Sequence, residues 1–136
     1  VTKIIIQTLK DLKLWKESLY KNISFVPTMG NLHKGHLNLI EAANKYNSNI
    51  IIVSIFVNRL QFDNQNDFYT YPKSIKKDID IAFQAGADAI FIPCEEEIFP
   101  SDNEISYLKA STDLSSKLCG VKRFGHFDGV CTVVYR

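Results

Sequence analysis

The amino-acid sequence predicts an α/β fold, a Rossmann-like parallel sheet with flanking helices. Short apolar runs alternate along the chain with stretches of helical spacing, which is the pattern of parallel strands joined by right-handed crossovers. A second observation is the β-branched segment 49–57, whose apolar residues do not alternate with polar ones. Such a run fits a central strand that is buried on both faces.

Two strands and a helix are predicted at the start of the chain. Residues 3–7 and 23–26 are short apolar runs and are predicted as strands. Thr8 is predicted to cap the helix between them, because Asp11 stands three residues later in the acidic position of a capping box. Apolar residues then recur at helical spacing as far as Leu19.

The second helix is predicted to begin at Leu37. Leu37, Ile40 and Ala43 recur every three positions, which is helical spacing. The helix is expected to end near 44–45, where Asn47 could help to close it.

The middle of the chain is predicted as a loop, a helix and a strand. Residues 58–71 are polar with aromatic interruptions and are expected to form a loop. Ser74 is predicted to cap a helix that Gly86 closes as a left-handed C-cap. Residues 89–92 are then predicted as a strand, which Pro93 stops.

The C-terminal part has weaker patterns. Residues 105–110 are predicted as a strand, and residues 114–119 as a short helix capped by Thr112 or Asp113. Residues 130–135 are apolar and fit either a strand or a helix. No internal repeat or linker interrupts the chain, so its 136 residues are predicted to form one domain.

The composition indicates which kinds of partner the chain is expected to bind. A hydrophobic content of 46% is typical of a globular protein, and a net charge of +1 gives no field that would attract nucleic acid or an anionic membrane. No apolar stretch approaches the roughly 20 residues that span a bilayer. We therefore expect small-molecule partners, with neither nucleic acid nor membrane among them.

The cysteines indicate a reducing compartment. Cys94, Cys119 and Cys131 are odd in number, lie far apart and form no CxxC pair. This favours reduced thiols in a cytoplasmic protein, although two of the three could still pair in the fold.

The segment 27–36, with sequence PTMGNLHKGH, carries the main functional signal. It lies between a predicted strand and a predicted helix, and a helix N-terminus attracts phosphate through its free N–H groups. Gly30 and Gly35 allow backbone to approach a ligand closely. His33 and His36 can donate hydrogen bonds to phosphate oxygens and can move protons near neutral pH. Together these features predict nucleotide chemistry.

Other interpretations of the two histidines are less well supported. A single histidine is usually structural, but a pair spaced by three beside Gly35 at a strand-to-helix turn favours a functional role. Paired histidines could also bind zinc, yet no nearby cysteine or acidic residue supplies a third ligand. A Walker-type phosphate loop is excluded, because the motif GxxxxGK[ST] does not occur.

Four sequence blocks resemble motifs of one enzyme family. The histidine segment resembles the HxGH signature of the nucleotidylyl-transferase superfamily, in the form found in pantothenate synthetases. Three further blocks are similar to that family's motifs and follow in the family's order: VSIFVNRLQF at 53–62, YPK at 71–73 followed by Asp78, and RFGHFDGV at 123–130. The chain therefore resembles the N-terminal portion of the pantothenate synthetase (pantoate–β-alanine ligase) family.

The resemblance implies an ATP-dependent carboxylate–amine ligase of coenzyme A biosynthesis. ATP and pantoate would form pantoyl adenylate and pyrophosphate, and β-alanine would then displace AMP to give pantothenate. Magnesium would accompany ATP. The resemblance leaves open whether the enzyme forms a homodimer. Two alternatives also stay open: another HxGH-type nucleotidylyl transferase, and a non-catalytic ATP-binding fragment.

The resemblance also implies roles for individual residues. His36 and His33 would be catalytic, with His36 donating a proton, and Gln61 would hold pantoate and contact the incoming β-alanine amine. The ATP site would be lined by Met29, Gly30, Asn31, Leu32, His33, Lys34, Gly35 and His36. Weaker candidates for the nucleotide and pantoate sites are Thr28, Asn58, Tyr71, Arg123 and His126. Asp78 would lie near the magnesium, although an exposed helix carboxylate is an equally good interpretation.

The chain departs from the family pattern in two ways. Arg59 and Phe124 stand where the family motifs have proline. The later family motifs, GEKDxQQ and SSRNxxL, are absent. We therefore expect an incomplete N-terminal nucleotide-binding domain without its C-terminal domain, poorly active or inactive in isolation.

Overall fold

A single parallel sheet organises the protein, in a computed structural model that describes residues 2–45, 50–100 and 105–136. Its strands lie in the order β1-β4-β3-β2, and every neighbouring pair is parallel. The strands are β1 (Ile4–Ile6), β2 (Ile23–Thr28), β3 (Ile50–Ile55) and β4 (Ala89–Phe91). The predicted α/β class with a parallel sheet is confirmed.

Helices follow or connect the strands. The described helices are α1 (Leu9–Glu17), α2 (Lys34–Asn44), α3 (Gln65–Thr70), α4 (Ile75–Ala85), α5 (Glu95–Ile98), α6 (Thr112–Ser115) and α7 (His126–Tyr135), with 3₁₀ turns at Arg59–Gln61 and Leu118–Val121. Among the described residues, no helix is both long and apolar enough to cross a membrane.

The core forms around β3. All six residues of this strand are buried, because β3 lies between β4 and β2 and is covered on both faces. Its prediction as a central buried strand is confirmed. Side chains from β2, β4, α2 and α4 complete the cluster: Val26, Ile40, Ile51, Val53, Ile55, Ala82, Ala87 and Ile90.

The chain divides into two compact units. The first comprises Val1–Phe56 and Pro72–Glu97, and therefore holds the sheet with α1, α2 and α4. The second comprises Val57–Tyr71 and Ile98–Arg136, and holds α3, α6, α7 and both 3₁₀ turns.

Several predicted helix ends are confirmed. The Thr8 hydroxyl accepts a hydrogen bond from the Asp11 N–H at 3.1 Å and donates to the Asp11 carboxylate at 2.8 Å, so Thr8 caps α1 as predicted. Gly86 closes α4 with a left-handed φ of 110°. Residues 130–135, which fit either a strand or a helix by sequence, belong to the helix α7, which begins at His126.

The predicted loop at 58–71 is wrong. It contains the 3₁₀ turn Arg59–Gln61 and the helix α3. An asparagine caps each element: Asn58 accepts from the Leu60 N–H, and Asn64 accepts from the Asn66 N–H. Asparagine is typical both of loops and of N-caps, so composition alone favoured the wrong choice.

The predicted strand at 105–110 is also wrong. This segment runs beside α7 and bonds to its side chains instead of to another strand. The Leu108 N–H donates to the Thr132 hydroxyl at 3.0 Å, and the Ala110 N–H donates to the Asp128 carboxylate at 2.8 Å.

Two smaller predictions also change, and a third is not tested. The predicted helix at 114–119 is replaced by α6 and the 3₁₀ turn Leu118–Val121. Ser74 makes no capping hydrogen bond at the start of α4. Asn47, predicted to help close α2, lies outside the described residues.

Candidate active site

The histidine segment lies in the first unit, at the carboxyl end of β2. The strand ends at Thr28 and α2 begins at Lys34, three residues before the predicted start at Leu37. Between them the chain turns through Gly30 and Asn31, with left-handed φ angles of 79° and 51°. Glycine has no steric cost in this conformation, and asparagine tolerates it better than most residues.

The two imidazoles cap the helix that follows them. The His33 Nδ1 accepts a hydrogen bond from the Gly35 N–H at 3.1 Å, and the His36 Nδ1 accepts from the His33 N–H at 3.3 Å. An Nδ1 that accepts a backbone proton carries no proton of its own in the neutral ring. Each neutral imidazole therefore carries its proton on Nε2.

The expectation of free N–H groups at this helix start is therefore only partly correct. The N–H groups of His33 and Gly35 donate to the imidazoles. Just before the helix, the N–H groups of Asn31 and Leu32 donate to the Asp78 carboxylate at 2.9 and 2.8 Å. The Nε2–H groups of the imidazoles remain as donors that this segment can offer to a phosphate.

Gly30 and Gly35 leave room for neighbouring side chains of the protein itself. A Cβ on Gly35 would lie 2.9 Å from the His33 Cε1, closer than real contacts allow. A Cβ on Gly30 would lie 3.1 Å from the Asp78 carboxylate and 3.2 Å from the Ile55 side chain. We expected these glycines to admit a ligand; in the structure they admit a histidine ring and a carboxylate.

The environment of the paired rings keeps His36 neutral at pH 7. The ring centroids of His33 and His36 lie 4.1 Å apart with an interplanar angle of 39°. Burial of the half-buried His36 lowers its pKa below the ordinary 6.5, and the neighbouring His33 lowers it further, while Asp78 opposes the shift. A neutral His36 can donate from Nε2 to a developing phosphate charge.

We expect NMR titration to show a pKa for His36 below 6.5 and an Nε2–H tautomer. Because the folded state binds this proton less readily than the unfolded state, the His36 contribution lowers the free energy of unfolding as the pH falls below 6.5 towards the folded pKa. Added ATP should raise the pKa of His36, because phosphate charge favours the imidazolium.

Long-range ¹H–¹⁵N spectra distinguish the two tautomers and supply an internal control. His126 should appear as the Nδ1–H tautomer, because its Nδ1 faces a carbonyl that can only accept. A His36 pKa at or above 6.5 without ATP, or an Nδ1–H tautomer at His36, would contradict the assigned geometry.

Gln61 lies in the second unit, where Asn58 orients its side chain. The Asn58 Nδ2 donates to the Gln61 Oε1 at 2.9 Å and to the Gly129 carbonyl at 3.0 Å. Asn58 is only 1% exposed, so it is held as firmly as a core residue. With its oxygen engaged in this way, Gln61 retains its amide N–H groups to meet a carboxylate or hydroxyl.

Arg123 and His126 converge on the main chain of Gln61. The Arg123 Nη2 and the His126 Nδ1 each lie 3.0 Å from the Gln61 carbonyl oxygen. The Arg123 guanidinium also lies 5.9 Å from the centroid of the Phe62 ring, which Tyr71 meets edge-on at 5.6 Å. The second unit therefore brings together five of the predicted site residues: Gln61, Asn58, Tyr71, Arg123 and His126.

The other predicted site residues, which are the segment 28–36 and Asp78, lie in the first unit. Thr28 precedes the histidine segment, and its buried hydroxyl donates to the Ser54 carbonyl at 2.7 Å and accepts the Gly30 N–H at 3.1 Å. Those bonds tie β2 to β3 and hold the turn, so the Thr28 hydroxyl is engaged with the protein itself.

Comparison with known proteins identifies the family. The profile of the family described as Pantoate-beta-alanine ligase matches residues 4–136. The chain belongs to the pantoate-beta-alanine ligase family.

Curated relatives are longer than this chain. A bifunctional pantoate ligase/cytidylate kinase of Prochlorococcus marinus (strain MIT 9312) is 58% identical over 135 residues, which cover 98% of this chain and 26% of the relative. The protein of the same description in Prochlorococcus marinus subsp. pastoris is 59% identical over 137 residues and is covered to 27%. The chain thus spans about a quarter of the length of these relatives.

Solved pantoate–β-alanine ligases share the fold. The enzyme of Francisella tularensis, solved in complex with Beta-gamma ATP and Beta-alanine, is 40% identical with a TM-score of 0.87. The alignment covers 98% of this chain and 51% of the Francisella chain. The enzyme of Thermus thermophilus is 37% identical with a TM-score of 0.83, and 47% of its chain is covered.

Two contributors to the candidate site were missed by sequence reasoning. Ser74 donates from its hydroxyl to the Asp78 carboxylate at 3.0 Å, and the i, i+4 spacing of the two residues at a predicted helix was the available signal. Gly129 packs against the backbone of Leu60, whose carbonyl oxygen a Cβ on Gly129 would overlap. A glycine inside a helix is unfavourable by propensity, and that was the available signal for a packing role.

The arrangement does not fit a resident magnesium ion at Asp78. The side chain is 2% exposed and already accepts from three protein donors, so the alternative of an exposed carboxylate is wrong. Within residues 2–45, 50–100 and 105–136, no three His, Cys, Asp or Glu residues come together that could hold a metal ion. No ligase step is therefore assigned to a protein-bound metal.

Proposed function

We propose that this chain supplies the nucleotide-binding part of a pantoate–β-alanine ligase that forms pantothenate through pantoyl adenylate. The observation that carries the proposal is the imidazole pair: two rings at one helix start, each with its Nδ1 engaged by the backbone and its Nε2 available as a donor. Membership of the ligase family supports the same reaction.

In the first step, a carboxylate oxygen of pantoate attacks the α-phosphorus of ATP. The carboxylate oxygen forms a bond to the α-phosphorus, and the bond between the α-phosphorus and pyrophosphate breaks. Negative charge builds on the phosphate oxygens in the transition state, where hydrogen-bond donors fixed in advance stabilise it most. His33 and His36 are the donors: in place of the proton transfer that the resemblance implies, the neutral His36 stabilises the departing pyrophosphate by a hydrogen bond from Nε2–H. Magnesium enters with ATP as part of the substrate.

In the second step, the amine of β-alanine attacks the carbonyl carbon of pantoyl adenylate. A carbon–nitrogen bond forms, the bond to AMP breaks, and the amine nitrogen loses a proton. Gln61 holds pantoate and contacts the amine through the amide that Asn58 orients. Arg123, beside Gln61 and Phe62, offers its remaining N–H groups to phosphate.

The setting that we propose is coenzyme A biosynthesis in the cytoplasm. Cys94, Cys119 and Cys131 are free thiols, which suits a reducing compartment. The Francisella enzyme was solved with an ATP compound and with β-alanine, which supports these two substrates for a member of the same family.

The test is pantothenate formation by a chimera in which this chain replaces the matching half of the Francisella ligase. We expect the chimera to turn over at roughly 1 per second or faster. The chain alone should bind ATP weakly and form product at about a hundredth of that rate or less, because groups that act as a unit are strongly non-additive. Product is measured from ATP, pantoate and β-alanine.

A Gln61→Ala variant of the chimera tests the assignment of the pantoate site. It should raise the KM for pantoate and leave the affinity for ATP nearly unchanged. An inactive chimera that folds and binds ATP would favour a non-catalytic nucleotide-binding role. Pyrophosphate exchange supported by another acid, and not by pantoate, would favour a different nucleotidylyl transferase.

A further inference from the structure

Asp78 lies buried on α4, directly against the histidine segment. Its Oδ1 accepts from the Leu32 N–H at 2.8 Å, and its Oδ2 accepts from the Asn31 N–H at 2.9 Å and from the Ser74 hydroxyl at 3.0 Å. The side chain is 2% exposed. An ionised carboxylate is tolerated at such a site only because it is hydrogen-bonded on both oxygens.

These hydrogen bonds hold a turn that would otherwise be unfavourable. Gly30 adopts its left-handed φ at no steric cost, but the left-handed φ of the non-glycine residue Asn31 needs support from its surroundings. Asp78 gives that support although it lies 47 residues after Asn31 in the chain. Its carboxylate accepts hydrogen bonds from the N–H groups of Asn31 and Leu32. The backbone of the turn leads directly into His33, so its conformation sets where the imidazole pair begins.

We propose that Asp78 is a positioning residue of the ATP-binding segment, acting through the backbone of Asn31 and Leu32, and is not a ligand of the metal that accompanies ATP. The proposal goes beyond the ligase reaction but rests on the proposed function in one respect, namely that the segment binds ATP. Because both carboxylate oxygens face protein donors, a metal ion would have to displace them and open the turn.

The first test needs no ligand. In the folded 136-residue chain, Asp78→Asn replaces one acceptor oxygen by an NH₂ group, so the two backbone N–H groups can no longer both donate to this side chain. Amide protons bonded to a carboxylate resonate downfield, and we expect those of Asn31 and Leu32 to move upfield in the variant. Unchanged amide resonances would overturn the proposal.

The second test separates positioning from metal binding. ATP affinity is measured by calorimetry with and without Mg²⁺ for the wild type and for Asp78→Asn. We expect about tenfold weaker binding under both conditions. A loss confined to the samples with Mg²⁺ would show that Asp78 acts on the metal and would overturn the proposal. Failure of the wild type to bind ATP would contradict the proposed function instead, and the amide resonances alone would then decide the role of Asp78.

Two further variants guard against a folding defect. Ser74→Ala removes one donor and leaves the carboxylate, so the amide protons of Asn31 and Leu32 should stay downfield while ATP affinity falls about two- to threefold. Asp80→Asn makes the same chemical change on an exposed position of α4 and should alter neither measurement. Upfield shifts in Asp80→Asn equal to those in Asp78→Asn would overturn the proposal.

Discussion

Replacing His36 by alanine is expected to lower the rate of pantoate-dependent ATP–pyrophosphate exchange about a hundredfold or more. The ring is kept neutral by burial, and its Nδ1 accepts the His33 N–H; in the proposed reaction its Nε2–H donates to charge that develops only in the transition state. The affinity for ATP in the ground state should therefore change far less than the rate. Exchange is measured on the chimera with the Francisella ligase, and affinity by calorimetry.

Glu41→Ala gives a matched control on the same helix. Glu41 is exposed on α2 and lies outside the histidine segment, so its removal should leave both exchange and ATP affinity unchanged. If His36→Ala exchanged pyrophosphate at the wild-type rate, the assignment of His36 as catalytic would fail. Equal losses of rate and ATP affinity would place its role in ground-state binding.

Gly129→Ala is expected to lower the free energy of unfolding by about 3 kcal/mol. The loss is expected even though alanine is favoured over glycine inside a helix by about 1 kcal/mol. The new methyl group would overlap the carbonyl oxygen of Leu60, which is backbone and cannot rotate away. The first turn of α7 and the turn that carries Gln61 must then separate, which also loosens the Asn58 bond to the Gly129 carbonyl. Urea denaturation measures the loss, and the chimera's KM for pantoate should rise.

Gly125→Ala is the matched control for this effect. Gly125 has a left-handed φ of 74°, but a Cβ there would meet nothing within 4 Å. Its replacement should cost only the backbone strain, about 1 kcal/mol, and should leave the pantoate KM unchanged. Equal destabilisation by the two substitutions would mean that contact with Leu60 is not what requires glycine at position 129.

Local signals predicted the fold well where one physical cause dominated. The helix cap at Thr8, the left-handed Gly86 and the buried strand β3 each depend on neighbours in sequence or on simple hydrophobicity. The segment 105–110 has a similar apolar content, yet its hydrogen bonds go to side chains of α7. Hydrophobicity alone does not say which partner a backbone N–H will find.

The candidate site was predicted in its residues but not in its contacts. Motif resemblance named Gln61, Arg123 and Asp78, each of which has a partner 46 to 65 residues away along the chain. Such contacts depend on how the elements pack, and nothing in the local sequence specifies them. The role of Asp78 as an acceptor for backbone N–H groups is the main finding that the sequence did not suggest.

Few other side chains could take the place of His33 and His36. Each ring uses Nδ1 to cap α2 and keeps Nε2 for a ligand. Serine could cap the helix but has no rigid second group for a ligand, and lysine or arginine could present a donor but could not accept the backbone proton. An amide carries both an acceptor and a donor, but on neighbouring atoms of one short group. Imidazole separates its acceptor and its donor across a rigid ring, so capping of the helix and the proposed chemistry both favour histidine at these two positions.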